Sequence, residues 1–135
     1  MSVPTATAAP DRPLRLVLRA DALACVGAGL AMALGSTFLS GPLGLPTELL
    51  LAAGLFLLPF AALVWLLSSR QAVTLAGVAA VIVANVVWLL GSVAVVVLMA
   101  PSGLGVAFVL AQAAAVLALT VAETVLLRTS VKEGL

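Results

Sequence analysis

The chain has 135 residues, of which 64% are hydrophobic and only 8% are charged, and its formal net charge is +1. A soluble domain is about 45–50% apolar and about 25% charged, so no water-soluble fold of this length has an interior for so much aliphatic surface. The composition therefore predicts an integral membrane protein. Because the sequence has no basic stripe, nucleic acid is excluded as a partner.

Residue types that carry much enzyme chemistry are missing. The sequence has no histidine and no tyrosine, and its single cysteine, Cys25, forms neither an intrachain disulfide nor a thiolate metal site. Chemistry on a membrane lipid usually needs a histidine, a metal cluster or several ionisable groups in one cleft. We therefore predict that the protein is not an enzyme and carries no cofactor or metal.

Four apolar segments are long enough to cross about 30 Å of hydrocarbon, which takes roughly 20 residues each. The predicted spans lie at about 20–39, 48–67, 72–99 and 105–127. They are separated by SGPLGLP, SSRQ and APSGLG, whose glycine, proline or polar residues end a helix. The sequence predicts an all-α, four-helix membrane bundle over 14–128, between a flexible tail at 1–13 and a second tail at 129–135.

The basic residues determine the predicted orientation. With four crossings, all six fall on the same side of the membrane: Arg12, Arg15, Arg19, Arg70, Arg128 and Lys132. Positive charge in short loops is retained on the cytoplasmic side. Both termini are therefore predicted to be cytoplasmic, and the expected location is the inner membrane of a bacterium.

Small residues recur at four-residue spacing along three of the predicted spans. The sets are Gly27, Ala31 and Gly35; Ala76, Ala80 and Ala84; and Ala107, Ala111 and Ala115. Because lipid provides little hydrophobic force between helices, close packing of such residues holds membrane bundles together. We expect these faces to pack within the chain, with a homodimer interface as the alternative.

The stretch VIVANVVWLL contains one amide, Asn85, near the middle of the third span. Pro59 lies at a similar depth in the second span and leaves the carbonyl of Leu55 without its helical donor. We expect Asn85 to donate to that carbonyl or to a water in the kink. Asn85 and Gln112 are otherwise expected to hydrogen-bond between helices or to line a polar ligand cavity, and Trp88 is expected in the core.

Two acids, Asp21 and Glu123, fall inside the predicted spans near their cytoplasmic ends. Charged groups inside a membrane are expensive and are functional candidates by default. The simpler interpretation is an interfacial belt of ion pairs with neighbouring arginines, whose long side chains reach the interface. The sharper hypothesis is a proton or cation site formed by the two carboxyl groups.

Four segments, LRADALACVGAGL, LGLP, NVVW and GVAFVLAQA, resemble those of small, largely uncharacterised bacterial inner-membrane proteins with four spans. The resemblance covers most of residues 14–128 and implies the fold rather than a chemistry. The chain is also superficially similar to the small multidrug resistance transporters, which have a similar size and a membrane-embedded glutamate in the first helix. It departs from them in having Asp21 near the interface and a strong bias of positive charge.

The sequence leaves two functions from different classes. The first choice is a binding or accessory subunit of a larger membrane complex, because the loops are too short to hold a domain. The alternative is a small transporter or a lipid- or hydrophobic-ligand-handling protein with a polar cavity near Pro59, Asn85 and Gln112. The predicted partners are membrane lipids and another membrane protein or a second copy of the chain. A large cavity faced by both amides would favour the alternative.

Overall fold

The computed structural model describes residues 3–70 and 73–132, and it describes side chains from residue 12 onwards. This part of the chain forms five helices and contains no strand. They are α1 (Val3–Leu34), α2 (Ser36–Leu43), α3 (Thr47–Ser69), α4 (Leu75–Met99) and α5 (Gly103–Lys132). All but α2 are long and apolar enough to cross a membrane. The predicted all-α, four-span membrane fold is confirmed.

The first span is where the predicted bounds differ most from the structure. Its apolar segment runs from Arg12 to Leu34, whereas the sequence placed it at 20–39. The chain bends at Gly35 and restarts as α2, so the last residues of the predicted span belong to the short helix. Gly44 caps the C-terminus of α2, and its positive φ of 66° is a conformation that favours glycine.

Both predicted tails contain helix. α1 begins at Val3, so helix covers most of the segment 1–13, whose flexibility stays a prediction. α5 continues to Lys132 and takes in most of the segment 129–135, of which 133–135 lie outside the described residues. Helix therefore extends past the predicted spans at the end of the bundle that carries the arginines.

Local signals place α4 so that Asn85 falls near its middle. The side chain of Thr74 caps the N-terminus and accepts a hydrogen bond from the backbone N–H of Gly77 at 3.1 Å. At the other end, Ala100 adopts a left-handed conformation with φ 46°, and Pro101 follows it and cannot donate a backbone hydrogen bond. The amide is thus held within a regular, membrane-length helix.

α1 and α3 form the most extensive helix pair of the bundle. A Cβ atom on Gly54 would lie 2.6 Å from the backbone nitrogen of Ala33 and 2.6 Å from the carbonyl oxygen of Gly29. A Cβ atom on Gly29 would lie 3.1 Å from the carbonyl oxygen of Gly54. The absence of these side chains lets the two backbones approach closely, which is how helices associate in lipid.

The small-residue faces predicted from four-residue spacing do not form this contact. Gly27 has nothing within 4 Å of the position that a Cβ atom would take. The other exposed members are Ala31, Ala76, Ala80, Ala107, Ala111 and Ala115. Gly35 and Ala84 are half-buried. The expectation that these faces pack within the chain is therefore wrong for most of them, because α1 and α3 cross at Gly29 and Gly54 instead.

The helices follow one another around the bundle in the order α3, α1, α5, α4. α1 packs against both α3 and α5, and α5 packs against α4, whereas the backbones of α3 and α4 come close at few points. One apolar cluster, which includes Leu14, Leu18 and Val64, fills the end that bears the arginines. A second cluster, which includes Met32 and Leu50, continues towards α2. The separation of α3 from α4 leaves one side of the bundle open.

Candidate functional site

The gap between α3 and α4 forms a cleft with two adjoining parts, which we call the α3–α4 cleft. The acidic part has a cavity volume of about 180 Å³ and is lined by Asp21, Cys25 and Asn85 among others. The distal part has a cavity volume of about 400 Å³ and extends to Leu45 and Ser92. Four residues line both parts: Phe56, Ala84, Trp88 and Gln112. The distal part falls within the range of about 300–1,000 Å³ that is usual for small-molecule pockets, and the acidic part is smaller.

A buried polar cluster joins three helices at the acidic part of the cleft. Asp21 of α1, Asn85 of α4 and Glu123 of α5 are only 1%, 4% and 0% exposed. The Nδ2 group of Asn85 donates one hydrogen bond to Oδ2 of Asp21 at 3.0 Å and one to Oε1 of Glu123 at 3.1 Å. An amide nitrogen carries two hydrogens, so both are used. Asn85 therefore holds the two carboxyl groups beside each other.

The two carboxyl groups differ in how their remaining oxygens are satisfied. Oδ1 of Asp21 accepts a hydrogen bond from the Cys25 thiol, one helical turn away, at 3.6 Å. Oε2 of Glu123 is buried and has no hydrogen-bond partner among the described residues. Glu123 lies within reach of the Asp21 carboxyl, but two ionised carboxyl groups have no hydrogen to share. A proton on Oε2 would supply the missing bond, so the geometry fits a pair that holds one proton.

The arginines do not pair with these acids, so the predicted interfacial belt of ion pairs is wrong for both. Arg15 donates to the backbone carbonyl oxygens of Ser68, at 2.7 Å, and of Arg70. The guanidinium of Arg19 lies over the Trp65 ring, 5.2 Å from its centroid. The two carboxyl groups therefore have no cationic partner among the described side chains.

A second network of hydrogen bonds lies one turn further along α4. Nε1 of Trp88 donates to Oε1 of Gln112 at 2.7 Å. The amide nitrogen of Gln112 donates to the Ser92 hydroxyl and to the carbonyl oxygen of Val109, both at 2.9 Å. The prediction offered interhelical hydrogen bonds and a ligand cavity as alternatives for Gln112, and the structure has both at once.

Three aromatic rings form the wall of the acidic part. Phe56 stacks on Phe60 with a centroid distance of 5.9 Å and on Trp88 with a centroid distance of 6.2 Å. Trp88 is half-buried on this wall and packs against the second apolar cluster, so it lies at the edge of the core in which the sequence placed it. The sequence interpretation did not single out Phe56 and Phe60, although their four-residue spacing on one helix face was a signal for them.

Pro59 does not belong to the site. It lies inside α3 but is exposed, and it lines neither part of the cleft. Both hydrogens of the Asn85 amide go to carboxyl oxygens rather than to the carbonyl of Leu55. The predicted compensation of Pro59 by Asn85 is therefore wrong, because buried carboxyl groups from two other helices take the same donor.

In comparisons with known proteins, the chain matches no family model, no curated protein and no solved structure. The assignment of a function therefore rests on the cleft itself. Its chemistry is that of an apolar cavity with three aromatic rings, a carboxyl pair bridged by an amide, and a second amide network.

Proposed function

We propose that the protein is a small membrane transporter or carrier that accepts a hydrophobic or lipid-like ligand into the α3–α4 cleft. The observation that carries this proposal is that Asn85, Trp88 and Gln112 line one cleft beside two helices whose backbones come close at few points. Sealed packing around the two amides would have favoured the accessory subunit instead. The open cleft reverses the order that the sequence alone favoured.

The position of the opening supports entry from the lipid. Both helices that border it are long and apolar enough to span the membrane, so an opening between them would face the bilayer. The distal part is lined almost entirely by apolar side chains, such as Leu49 and Val95. Ligand pockets combine such apolar walls with a few polar groups that fix orientation, and the two amide networks provide those groups here.

Native mass spectrometry of the protein extracted gently from its own membrane tests this proposal. We expect a reproducible co-purifying lipid or small molecule that is lost in Ala84→Phe, because the added ring fills a position that borders both parts of the cleft. Ala80→Phe is the matched control, one turn earlier on α4, exposed and outside the cleft. Retention of the molecule in both variants, or bare protein in the wild type, would contradict the proposal.

An accessory role is the second candidate, and the exposed small-residue faces favour it. Ala76 and Ala80 on α4 and Ala107 and Ala111 on α5 are available for contact with another membrane helix. Small residues at this spacing let helices approach closely in lipid. A membrane subunit that co-purifies with the wild type, and is lost in Ala80→Phe but kept in Ala84→Phe, would favour this role over ligand transport.

We also propose that the protein lies in a bacterial inner membrane with both termini in the cytoplasm. Arg15 and Arg70 lie at the same end of the bundle, since the Arg15 guanidinium donates to the Arg70 carbonyl oxygen. Because positive charge clusters at this end of the bundle, we infer that this end lies on the cytoplasmic side. Reporter domains that are active only in the cytoplasm are expected to be active when fused to either terminus. Inactive reporters at both termini would indicate that the termini lie on the opposite side of the membrane.

A further inference from the structure

We propose that the distal part of the α3–α4 cleft binds an uncharged long-chain alcohol whose hydroxyl group donates a hydrogen bond to Gln112, an inference that rests on the proposed function. The distal part has a network of polar side chains where it joins the acidic part, and apolar side chains line most of its remaining length. The hydrogen-bonding capacity that the network leaves free indicates the polar group of the ligand. The apolar walls indicate its tail.

The first step concerns charge. None of the described residues that line the distal part is charged, and its polar side chains are those of Trp88, Ser92 and Gln112. Transfer of an ionised group into apolar surroundings is costly unless the group is paired. A ligand of the distal part is therefore uncharged.

The hydrogens of this network are all used within it. Nε1 of Trp88 donates to Oε1 of Gln112, and because an indole nitrogen only donates, this bond determines which end of the amide faces the ring. The amide hydrogens of Gln112 go to the Ser92 hydroxyl and to the carbonyl oxygen of Val109. The Ser92 hydroxyl donates to the carbonyl oxygen of Trp88 at 2.9 Å. These three side chains therefore have no hydrogen left to donate to a ligand.

Acceptor capacity, in contrast, remains. A carboxamide oxygen has two lone pairs, and Oε1 of Gln112 accepts only the bond from Trp88 within the described part of the chain. The Ser92 oxygen also keeps a lone pair, but Ser92 is buried, whereas Gln112 is half-buried and lines both parts of the cleft. Gln112 is thus the more accessible acceptor. A hydroxyl group can donate to it, whereas an ether, ester or ketone oxygen only accepts and forms no bond there.

The shape of the distal part fits a chain. Its lining runs along α4 from Ala84 to Val95, which is roughly 16 Å at a rise of 1.5 Å per residue. Apolar side chains such as Leu45 and Leu49 extend the wall away from the polar network. A hydroxyl group in hydrocarbon lacks the water that it bonds to at the membrane surface, and the free acceptor on Gln112 compensates that loss. One acceptor beside an elongated apolar cavity therefore matches an alcohol with a hydrocarbon tail.

Two isomers test the requirement for a donor. Primary tetradecanol and methyl tridecyl ether contain the same atoms and have similar lengths, and both oxygens accept hydrogen bonds, but only the alcohol donates one. Native mass spectrometry of the full chain in detergent gives the Kd of each isomer, added separately, with partition into protein-free micelles as the background. We expect the alcohol to bind about threefold to tenfold more tightly after correction for partition, as one net hydrogen bond provides. Tetradecyl sulfate, which has a permanent charge on the same chain, is expected to bind at least about tenfold more weakly than the alcohol.

Variants locate the preference at Gln112. Gln112→Leu removes the acceptor and frees the indole N–H of Trp88, which can donate to either oxygen, so the two isomers are expected to bind with similar Kd values. Ala114→Leu is the matched control on α5, exposed and outside the cleft, and should keep the preference for the alcohol. Trp88→Phe leaves both lone pairs of Oε1 free and should keep or increase that preference. The wild-type comparison of the isomers needs no variant, so a misfolded variant does not remove the test.

The outcomes separate this inference from the proposed function. Equal binding of the two isomers to the wild type, or a preference that persists in Gln112→Leu, would overturn the alcohol inference. The transport proposal would stand if both isomers bind and Ala84→Phe abolishes their binding. Tetradecyl sulfate that binds as tightly as the alcohol would contradict an uncharged ligand. If neither isomer binds, the inference also fails, and the molecule that co-purifies in Ala80→Phe but not in Ala84→Phe decides the proposed function separately.

Discussion

The two sides of α3 meet their neighbouring helices in opposite ways. On one side Gly54 lets the backbones of α3 and α1 come into direct contact. On the other side Phe56 and Phe60 border a cleft, and no hydrogen bond between described residues joins α3 to α4. Because lipid solvates apolar side chains as well as other helices do, spans associate only where packing is close or polar groups pair. The α1–α3 contact has close backbone packing, whereas α3 and α4 meet only through side chains, among them the stacked rings of Phe56 and Trp88.

α4 is instead held to the bundle by side-chain hydrogen bonds. Asn85 bonds to acids on α1 and α5, and Gln112 on α5 bonds to Trp88 and Ser92 on α4. Interhelical bonds of this kind contribute roughly 0.6–2 kcal/mol each in membranes. The comparison therefore indicates that α1 and α3 are joined by close backbone packing, and that α4 is joined to the bundle by side-chain hydrogen bonds to α1 and α5 and by its packing against α5.

The largest expected effect comes from forcing α1 and α3 apart. In Gly54→Val, the new Cβ atom would lie 2.6 Å from backbone atoms of Gly29 and Ala33, which cannot move aside as a flexible side chain can. We expect a loss of about 3 kcal/mol in the free energy of unfolding, measured by thermal or denaturant unfolding in detergent. Gly27→Val on α1 is the control, because that position is open. Similar losses in the two variants would show that the α1–α3 contact is not specially close-packed.

A smaller effect is expected from removing the hydrogen bonds that Asn85 of α4 donates to α1 and α5. Asn85→Leu removes both donors from a buried carboxyl pair and should lower the free energy of unfolding by about 2 kcal/mol. Val83→Leu, at an exposed position of the same helix, is the control. In a double-mutant cycle, Glu123→Leu should reduce the cost of Asn85→Leu, since one of the two acceptors of the Asn85 amide is then absent. Strict additivity of the two changes would argue against the observed hydrogen bonds.

The sequence predicted the helices well because their lengths are set by apolar composition and by local signals such as Thr74 and the residues after Met99. It also selected Asp21, Asn85 and Glu123 as the unusual groups of the membrane interior. It offered a shared site for Asp21 and Glu123 as one hypothesis. It did not join Asn85 to them, because depth counted along separate spans does not say how the spans cross. The early start of α1 at Val3 places Asp21 further inside the helix than the predicted span did.

Spacing also failed to find the contact between α1 and α3. Glycines and alanines at four-residue intervals occur on several faces, and periodicity alone does not tell which face meets a neighbour. Gly29 and Ala33 also stand four residues apart on α1, but the sequence interpretation chose the face of Gly27, Ala31 and Gly35, and only the crossing with α3 at Gly54 shows which face packs. The cleft was unpredictable for the same reason, since it exists because two spans that follow one another in the chain have backbones that come close at few points.

The smallest expected effect comes from Pro59, which the sequence linked to Asn85. Pro59 is exposed within α3, and the Asn85 amide is fully used by carboxyl oxygens, so the two residues have no contact through which to couple. Pro59→Leu restores a backbone donor and is expected to change the free energy of unfolding by less than about 1 kcal/mol. Its effect should add to that of Asn85→Leu within about 0.5 kcal/mol, as for distant sites. A coupling free energy larger than this would support the predicted interaction between Pro59 and Asn85. It would also mean that α4 lies closer to α3 than it does in this structure.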